Sequence, residues 1–345
     1  MSKKPFPAKR TLGLVSVGFL AAGVMISPAL SASAVTPLQC AALTQVTLED
    51  LDLGTYDDCD LTSKSLIVEG YEPFVIPAAG RSRTAFITVV DGAPEINDLS
   101  VYHSAAGEVA VTENPDSVLM LPTFHGSTAA RVAFDSDEPT PVETLEPAQA
   151  SASSPKCTNN AYAFTRAKWN KKYEWYYNVP GGPTGFSNGQ GFIQNAFAAV
   201  THGYYACGAN QENGSSSEYQ TTTVRNPKLT DGFNVVGFDY LANSSVAAVT
   251  FVDTAQNNPK KIVEADIIFN RNKTWYRSAD LDGCSGTKYD LQSIATHEAL
   301  HAFGLNHVPN GSGQSLDKNV SYCDTSLRRL GRGDASGMLL KYPNN

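Results

Sequence analysis

The sequence lacks long apolar runs over almost its whole length. Beyond its first 30 residues, no segment reaches the roughly 18 uninterrupted apolar residues that a membrane-spanning helix needs. The one apolar run, TLGLVSVGFLAAGVMI, has sixteen residues, follows four positive charges and is soon ended by Pro28. The small-residue site Ala32–Ala34 then completes the pattern of a secretory signal. We therefore expect a signal peptide over residues 1–34, a secreted protein, and no membrane partner after the signal is removed.

Cysteine is also scarce, with six residues in 345, and all six follow the predicted signal. An even number of cysteines in an exported chain predicts three disulfides. Six cysteines allow fifteen pairings, so the sequence alone does not fix the connectivity. Proximity along the chain favours the pairs Cys40 with Cys59, Cys157 with Cys207, and Cys284 with Cys323.

Basic residues are rare in one part of the chain. Residues 35–155 hold 19 acids and 4 bases, whereas residues 156–345 hold 15 acids and 18 bases, so the net charges are −15 and +3. The segment 135–156, DSDEPTPVETLEPAQASASSPK, contains four prolines and is typical of an extended linker. We expect the acidic domain over 35–134 to be a pro-domain that docks on the domain 157–345, covers its cleft and is released by cutting in the linker. The alternative is an accessory domain that stays attached and binds something else. No nucleic-acid partner is expected.

Hydrophobic patterning predicts an α+β protein with a small all-β domain in front. Short β-branched runs in the acidic region predict an antiparallel sandwich or barrel; they are SLIVEG, TAFITVV, LSVYHS, GEVAVTE, SVLMLPT and TAARVAFD. In the second region, apolar residues recur at helical spacing over Gly189–Ala206. Three further runs there predict strands, namely NVVGFDYL, AAVTFVD and KIVEADIIFN.

Histidine is rare too, but three of the six histidines fall within HEALHAFGLNH. His297 and His301 are four residues apart, so on a helix their imidazoles project from one face and can bind one metal ion. Gly304 can adopt the positive φ that turns the chain sharply and brings back His307. Three imidazoles leave a fourth tetrahedral position open, which is typical of one catalytic zinc ion. We expect Glu298, directly after the first histidine, to lie beside the metal and to take a proton from bound water as a general base.

The pattern HExxHxxGxxH resembles that of the metzincin zinc peptidases, and YDLQSIAT before it is similar to the matrixin branch. The resemblance covers about the last 190 residues. It implies a matrixin-like fold with a twisted sheet and two helices over a small C-terminal lobe, with His297, His301 and His307 as metal ligands and Glu298 as catalytic base. It also implies that Lys261–Asn270 is the edge strand to which an extended substrate adds. Its alternative is an ordinary buried strand.

Some features of that family are absent or ambiguous. Neither LQCAAL nor DDCDLT resembles the zinc-capping cysteine context of matrixin propeptides, although a capping thiolate at Cys40 or Cys59 is an alternative to their disulfide. Asp280 and Asp282 precede a glycine as in some calcium loops, which makes Ca²⁺ a second candidate ion, but the full loop pattern is missing.

Metzincins carry a methionine below the zinc, and Met338 is the only methionine after the motif. The surrounding segment, Ser326–Pro343, is more similar to the closing helix of bacterial matrixin-like proteins. Asp334 would be its N-cap, and Met338 would then be a core residue. We favour this second interpretation, in which the turn falls near 312–317 and Leu316 takes the place of the methionine.

The function predicted from the sequence is that of a secreted zinc-dependent endopeptidase acting on protein or peptide substrates. One alternative is an exported binding or adhesion protein with a vestigial zinc site and an acidic β-domain that holds a partner. The other is an enzyme that hydrolyses a non-peptide amide.

Overall fold

The computed structural model describes residues 37–52, 56, 59–69, 71–90, 92–93, 96, 98–114, 154–183, 189–255 and 257–344. All of them belong to one compact unit. The predicted signal peptide, the linker over 135–153 and the predicted strands SVLMLPT and TAARVAFD lie outside the described residues. In the part of the chain that the structure describes, no helix has the length and apolar character needed to cross a membrane.

The described residues form a mixed α+β fold with one large sheet and few helices. The helices are α1 (Pro37–Ala42), α2 (Leu48–Asp52), α3 (Pro155–Thr158), α4 (Gly189–Thr201), α5 (Leu291–Ala302) and α6 (Arg332–Lys341). The strands before α3 are β1 (Gln45–Thr47), β2 (Ser65–Ile67), β3 (Phe74–Val75), β4 (Arg81–Val90), β5 (Asp98–His103) and β6 (Val109–Asn114). The strands after α3 are β7 (Ala163–Phe164), β8 (Tyr173–Asn178), β9 (Ser217–Thr223), β10 (Asn234–Asp239), β11 (Val246–Ala255), β12 (Asn258–Asn270), β13 (Trp275–Tyr276), β14 (Tyr289–Asp290), β15 (Leu305–Asn306) and β16 (Asn319–Val320).

The large sheet runs in the order β6-β5-β4-β11-β12-β10-β8-β9, and β16 pairs with β4 off this path. Strands β12, β10, β8 and β9 are mutually parallel, whereas β11, β4, β5 and β6 form antiparallel pairs. The first and second parts of the chain therefore share a single sheet, joined where β4 pairs with β11.

Both faces of this sheet are covered, which explains the nearly continuous apolar run in β12. Successive side chains in a strand point to opposite faces. Ile267 and Phe269 accordingly face the core that contains α4 and α5, whereas Ile268 faces a second core. That second core includes Leu66 and Phe74 from the N-terminal part of the chain. The α5 face is the one that carries the site described below.

The predicted separate all-β domain is not confirmed. Strands β4 to β6 extend the large sheet, while β1, β2 and β3 form a small sheet of their own beside helices α1 and α2. The expectation that Lys261–Asn270 is an edge strand is wrong, because β12 lies between β10 and β11. Its alternative, an ordinary buried strand, is the one observed.

The three disulfides join the pairs that proximity along the chain favoured, and the described residues contain no free cysteine. Cys40 pairs with Cys59, so neither thiol is available to cap a metal. Cys157–Cys207 and Cys284–Cys323 both lie within the second part of the chain.

Candidate metal centre

Helix α5 presents the first half of the motif. Its N-cap is Asp290, whose carboxylate accepts a hydrogen bond from the Ser293 amide at 2.8 Å and satisfies one of the free N–H groups of the first turn. The buried Arg328 pairs with the same carboxylate, with Nη2 2.5 Å from Oδ2, and ties the helix start to the C-terminal segment. The helix start is thereby fixed in place about two turns before His297.

Gly304 turns the chain where the spacing of the motif requires it. Its φ is +84°, a conformation that favours glycine, and a Cβ at this position would collide with the carbonyl oxygen of Ala167. The chain then enters β15, which pairs with β7, and His307 follows directly. The predicted role of Gly304 is confirmed.

The structure brings the three histidines of the motif together. Their Nε2 atoms lie 3.0 Å apart for His297 and His301, 3.1 Å for His301 and His307, and 3.2 Å for His297 and His307. Two nitrogen ligands of a tetrahedral zinc ion lie about 3.3 Å apart, given bonds of about 2.05 Å. Among the described residues, these three form the one cluster of potential metal ligands, and all three are buried.

The other ring nitrogen of each histidine has an oxygen partner. Nδ1 of His297 lies 2.6 Å from the Ser315 carbonyl oxygen, and Nδ1 of His301 lies 3.0 Å from that of Leu305. Nδ1 of His307 lies 3.1 Å from Oδ2 of Asp98. Because these acceptors require a proton on Nδ1, the neutral rings direct their Nε2 lone pairs at one another, an arrangement that a cation stabilises.

Burial also keeps the three rings neutral. It lowers the pKa of His297, His301 and His307 well below the ordinary histidine value, and mutual repulsion lowers that of His297 and His301 further. A neutral imidazole is the form that binds zinc. The donor set, its tautomers and its protonation state therefore fit a metal ion of the zinc type.

Glu298 is fully buried and hydrogen-bonded through both carboxylate oxygens. Thr88 Oγ1 donates to Oε1 at 2.6 Å, and Thr250 Oγ1 donates to Oε2 at 2.6 Å. Burial raises the pKa of Glu298 to about 8, although the two hydroxyl groups oppose the shift. A divalent cation beside it would lower that pKa. The Glu298 carboxylate is thus held between α5 and the strands β4 and β11.

Several contacts of the site were not anticipated from the sequence. Thr88, Asp98 and Phe86 come from β4 and β5, about 200 residues before the motif, and the Phe86 ring stacks on His301 with centroids 4.6 Å apart. No motif marks these residues. The one available signal is a polar residue inside an apolar strand run, as Thr88 is in TAFITVV.

The segment 312–317, in which the turn was predicted, contacts one of the three histidines. Ser315 accepts from His297, the neighbouring Leu316 is fully buried, and Asp334 Oδ2 accepts from the Ser315 amide at 2.7 Å. Met338 is a buried residue of α6, as favoured above. The predicted N-cap was wrong, because α6 begins at Arg332. Asp334 lies at the third helical position, where it accepts from the Gly331 amide at 2.8 Å.

Asp280 and Asp282 form no three-residue ligand group within the described part of the chain. Asp280 Oδ1 instead accepts from the Asp282 amide at 3.0 Å.

Neither a protein-family model nor a curated protein matches the sequence. The function of the chain is therefore inferred from the geometry of this site.

Proposed function

We propose that the protein is a secreted zinc-dependent endopeptidase with a matrixin-like domain over residues 157–345. The observation that carries the proposal is the convergence of three Nε2 atoms within 3.2 Å of one another, with Glu298 on the same helix turn. The strands of this part and helices α4 and α5 on one face fit the upper lobe that the motif implies. The three disulfides suit an exported protein.

The chemistry follows from the donor set. The three neutral histidines would hold a zinc ion, which, when bound, would polarise a substrate carbonyl and lower the pKa of bound water. Asp98 and the carbonyl oxygens of Ser315 and Leu305 keep the Nδ1 protons in place and orient the rings. Glu298 takes the proton of water on a carboxylate oxygen and passes it to the leaving amine. No covalent intermediate with the chain is needed.

The described state is closed to substrate. His297, Glu298 and His301 have 0% of their surface exposed, and Thr88 and Phe86 of β4 contact Glu298 and His301 directly. An extended peptide that adds to β11 would require the position that β4 holds. The proposal therefore includes an N-terminal region that docks within the molecule and keeps the peptidase latent.

One observation favours the binding-protein alternative. The two threonine hydrogen bonds to Glu298 give this residue a structural use, so its presence next to a zinc ligand does not by itself require catalysis. A vestigial site would keep the metal and never cleave a peptide bond.

The decisive experiment is to purify the secreted chain, measure its zinc content, and assay casein cleavage before and after cutting between residues 135 and 153. The cut sample should also be freed of the N-terminal fragment by size exclusion in high salt. We expect one zinc per chain and activity that rises when the fragment leaves. One zinc per chain with no casein cleavage in any preparation would support the binding protein, and absence of zinc would refute both.

A further inference from the structure

Strand β4 does more than cover the zinc site, because its two faces contact different groups. Residues along a strand alternate between the faces of a sheet. Phe86 and Thr88 point towards α5, whereas Arg83 points to the opposite face. Arg83 stands directly across from Asp253 of β11 and is 1% exposed. A strand that takes the place of β4 on β11 would offer its own side chains to both faces.

The surroundings of Arg83 match a guanidinium group. Its Nε lies 3.0 Å from Asp253 Oδ1, and Nη2 lies 2.9 Å from Asp266 Oδ2. Nη1 donates to the Lys228 carbonyl at 2.8 Å, and Nη2 donates to that of Leu229 at 3.2 Å. The guanidinium carbon also lies 4.7 Å from the centre of the Phe251 ring. We name this the arginine socket, formed by Phe251, Asp253, Asp266 and the carbonyls of residues 228 and 229.

The socket depends on its occupant. All its groups belong to the second part of the chain, and Asp253, Asp266 and the adjacent Glu264 have no exposed surface. Burial raises the pKa of all three carboxyl groups, and Arg83 opposes the shift at each of them. Buried carboxylates without a cation are unfavourable, and a forked, planar guanidinium meets two carboxylates and two carbonyls better than a lysine can. A socket emptied by the departure of β4 would favour another arginine.

The distance between the socket and the three histidines would set the register of any strand that pairs with β11. Arg83 and Thr88 are five residues apart, so they lie on opposite faces of the strand and about 17 Å apart along it. Thr88 is the residue of β4 that donates a hydrogen bond to Glu298. Any strand that pairs with β11 in the same direction as β4 would have one residue next to Glu298, at the place of Thr88. The residue that enters the socket would lie five positions before it, on its amino-terminal side.

We infer that the arginine socket is a substrate subsite, which selects extended peptides with an arginine five residues before the residue that meets Glu298. The inference rests on the proposed peptidase function and names its substrate class. Strand β4 then occupies the cleft in the manner of a substrate, with Arg83 in the subsite. The alternative is a purely structural ion pair that no peptide ever replaces.

The guanidinium preference can be tested without catalysis, in the full chain with Arg83→Ala. Ethylguanidinium and ethylammonium would be added at equal concentrations and the melting temperature followed. Ethylguanidinium should raise it by about 2 °C or more relative to ethylammonium, since a ligand of the folded state stabilises it. Wild type and the double variant with Asp266→Asn should show no such difference. Equal responses to both cations in Arg83→Ala would overturn the guanidinium preference of the arginine socket. If Arg83→Ala fails to fold, the same measurement is made with Arg83→Gln.

The substrate role is tested with the decapeptide RSRTAFITVV, which copies residues 81–90, and with a version carrying citrulline at the place of Arg83. Citrulline keeps the shape and removes the charge. For the preparation that cleaves casein, kcat/KM should be about tenfold or more higher for the arginine peptide than for the citrulline peptide. A tenfold ratio corresponds to the free energy of one charge-assisted hydrogen bond. Equal rates, or casein cleavage with neither peptide cleaved, would overturn the subsite and leave the peptidase standing. No cleavage of casein or peptide would overturn the proposed function and the subsite together.

Discussion

Residues 157–344 supply the three histidines, Glu298 and the loop at Ser315, whereas residues 81–98 supply the groups that close over them. The ligand set comes from one short segment whose geometry is local. The closing groups, Thr88 and Asp98, reach it only because β4 pairs with β11. The potential metal ligands and the groups that cover them are therefore encoded in different parts of the chain, and substitutions can separate the two.

The largest effect should come from Glu298→Gln, which keeps the shape of the side chain and removes the base. Zinc content should stay at one per chain while casein cleavage falls by about 10²-fold to 10⁴-fold, the usual contribution of a general base. The matched control is Glu212→Gln, an exposed glutamate in the same part of the chain, which should change neither. Activity within a few-fold of wild type would remove Glu298 from the mechanism and favour its structural role.

A second prediction concerns the acids that surround Arg83. Burial, aided by Asp253, raises the pKa of Glu264 to about 7. The folded chain therefore holds this proton more tightly than the unfolded chain, and stability should fall as pH rises from about 4.5 to about 7. The loss is about 3 kcal/mol at most.

The variant Glu264→Gln carries no titrating group and should flatten the curve of melting temperature against pH in that window. Glu174→Gln, at an exposed position, should leave the curve as it is. The same slope in wild type and Glu264→Gln would show that Arg81 and Arg83 hold Glu264 ionised throughout. Burial of Glu264 in the folded chain would then carry no penalty for its charged form.

The sequence predicts the motif segment well and the segment 81–98 that covers it poorly. The cluster of potential metal ligands and the turn at Gly304 were predictable, because helix geometry fixes positions four residues apart and a tight turn needs a positive φ. Strands β4, β5 and β6 were also expected as strands. Their place in the large sheet was not predicted. The alternation of apolar and polar residues specifies which face a side chain takes, but it does not specify which strand is the neighbour.

The charge argument shows the limit more sharply. Net charges of −15 and +3 predict docking through acids on the first region and bases on the second. The buried ion pairs of Arg83 have the reverse polarity, because Arg83 comes from the acidic region and Asp253 and Asp266 come from the basic one. A net charge averages over exposed groups, whereas a buried pair depends on individual positions that composition does not contain.

A third prediction tests whether the first region contributes to the metal site. Asp98 Oδ2 lies 3.1 Å from His307 Nδ1, and Oδ1 accepts from the Ile87 amide at 2.9 Å. In the intact chain, Asp98→Asn should weaken zinc binding by about 10-fold to 100-fold, as the loss of an outer partner of a metal-bound histidine does. Zinc dissociation constants from chelator competition would measure it. The exposed Asp60→Asn is the control, and an unchanged constant for Asp98→Asn would confine the metal site to the second region.

The smallest effect is expected from Met338→Leu, which tests whether the buried side chain of α6 supports the three histidines. Met338 is fully buried in α6, while the loop that contacts His297 contains Ser315 and Leu316. A near-isosteric change in a helix core should cost less than about 1.5 kcal/mol, and zinc affinity should stay unchanged because no group bound to a ligand histidine is altered. Leu316→Ala is the matched comparison, since it empties space next to Ser315 and should lower both stability and zinc affinity. If Met338→Leu weakened zinc binding tenfold at an unchanged melting temperature, the support of the ligands would have to be assigned to α6 and not to the loop.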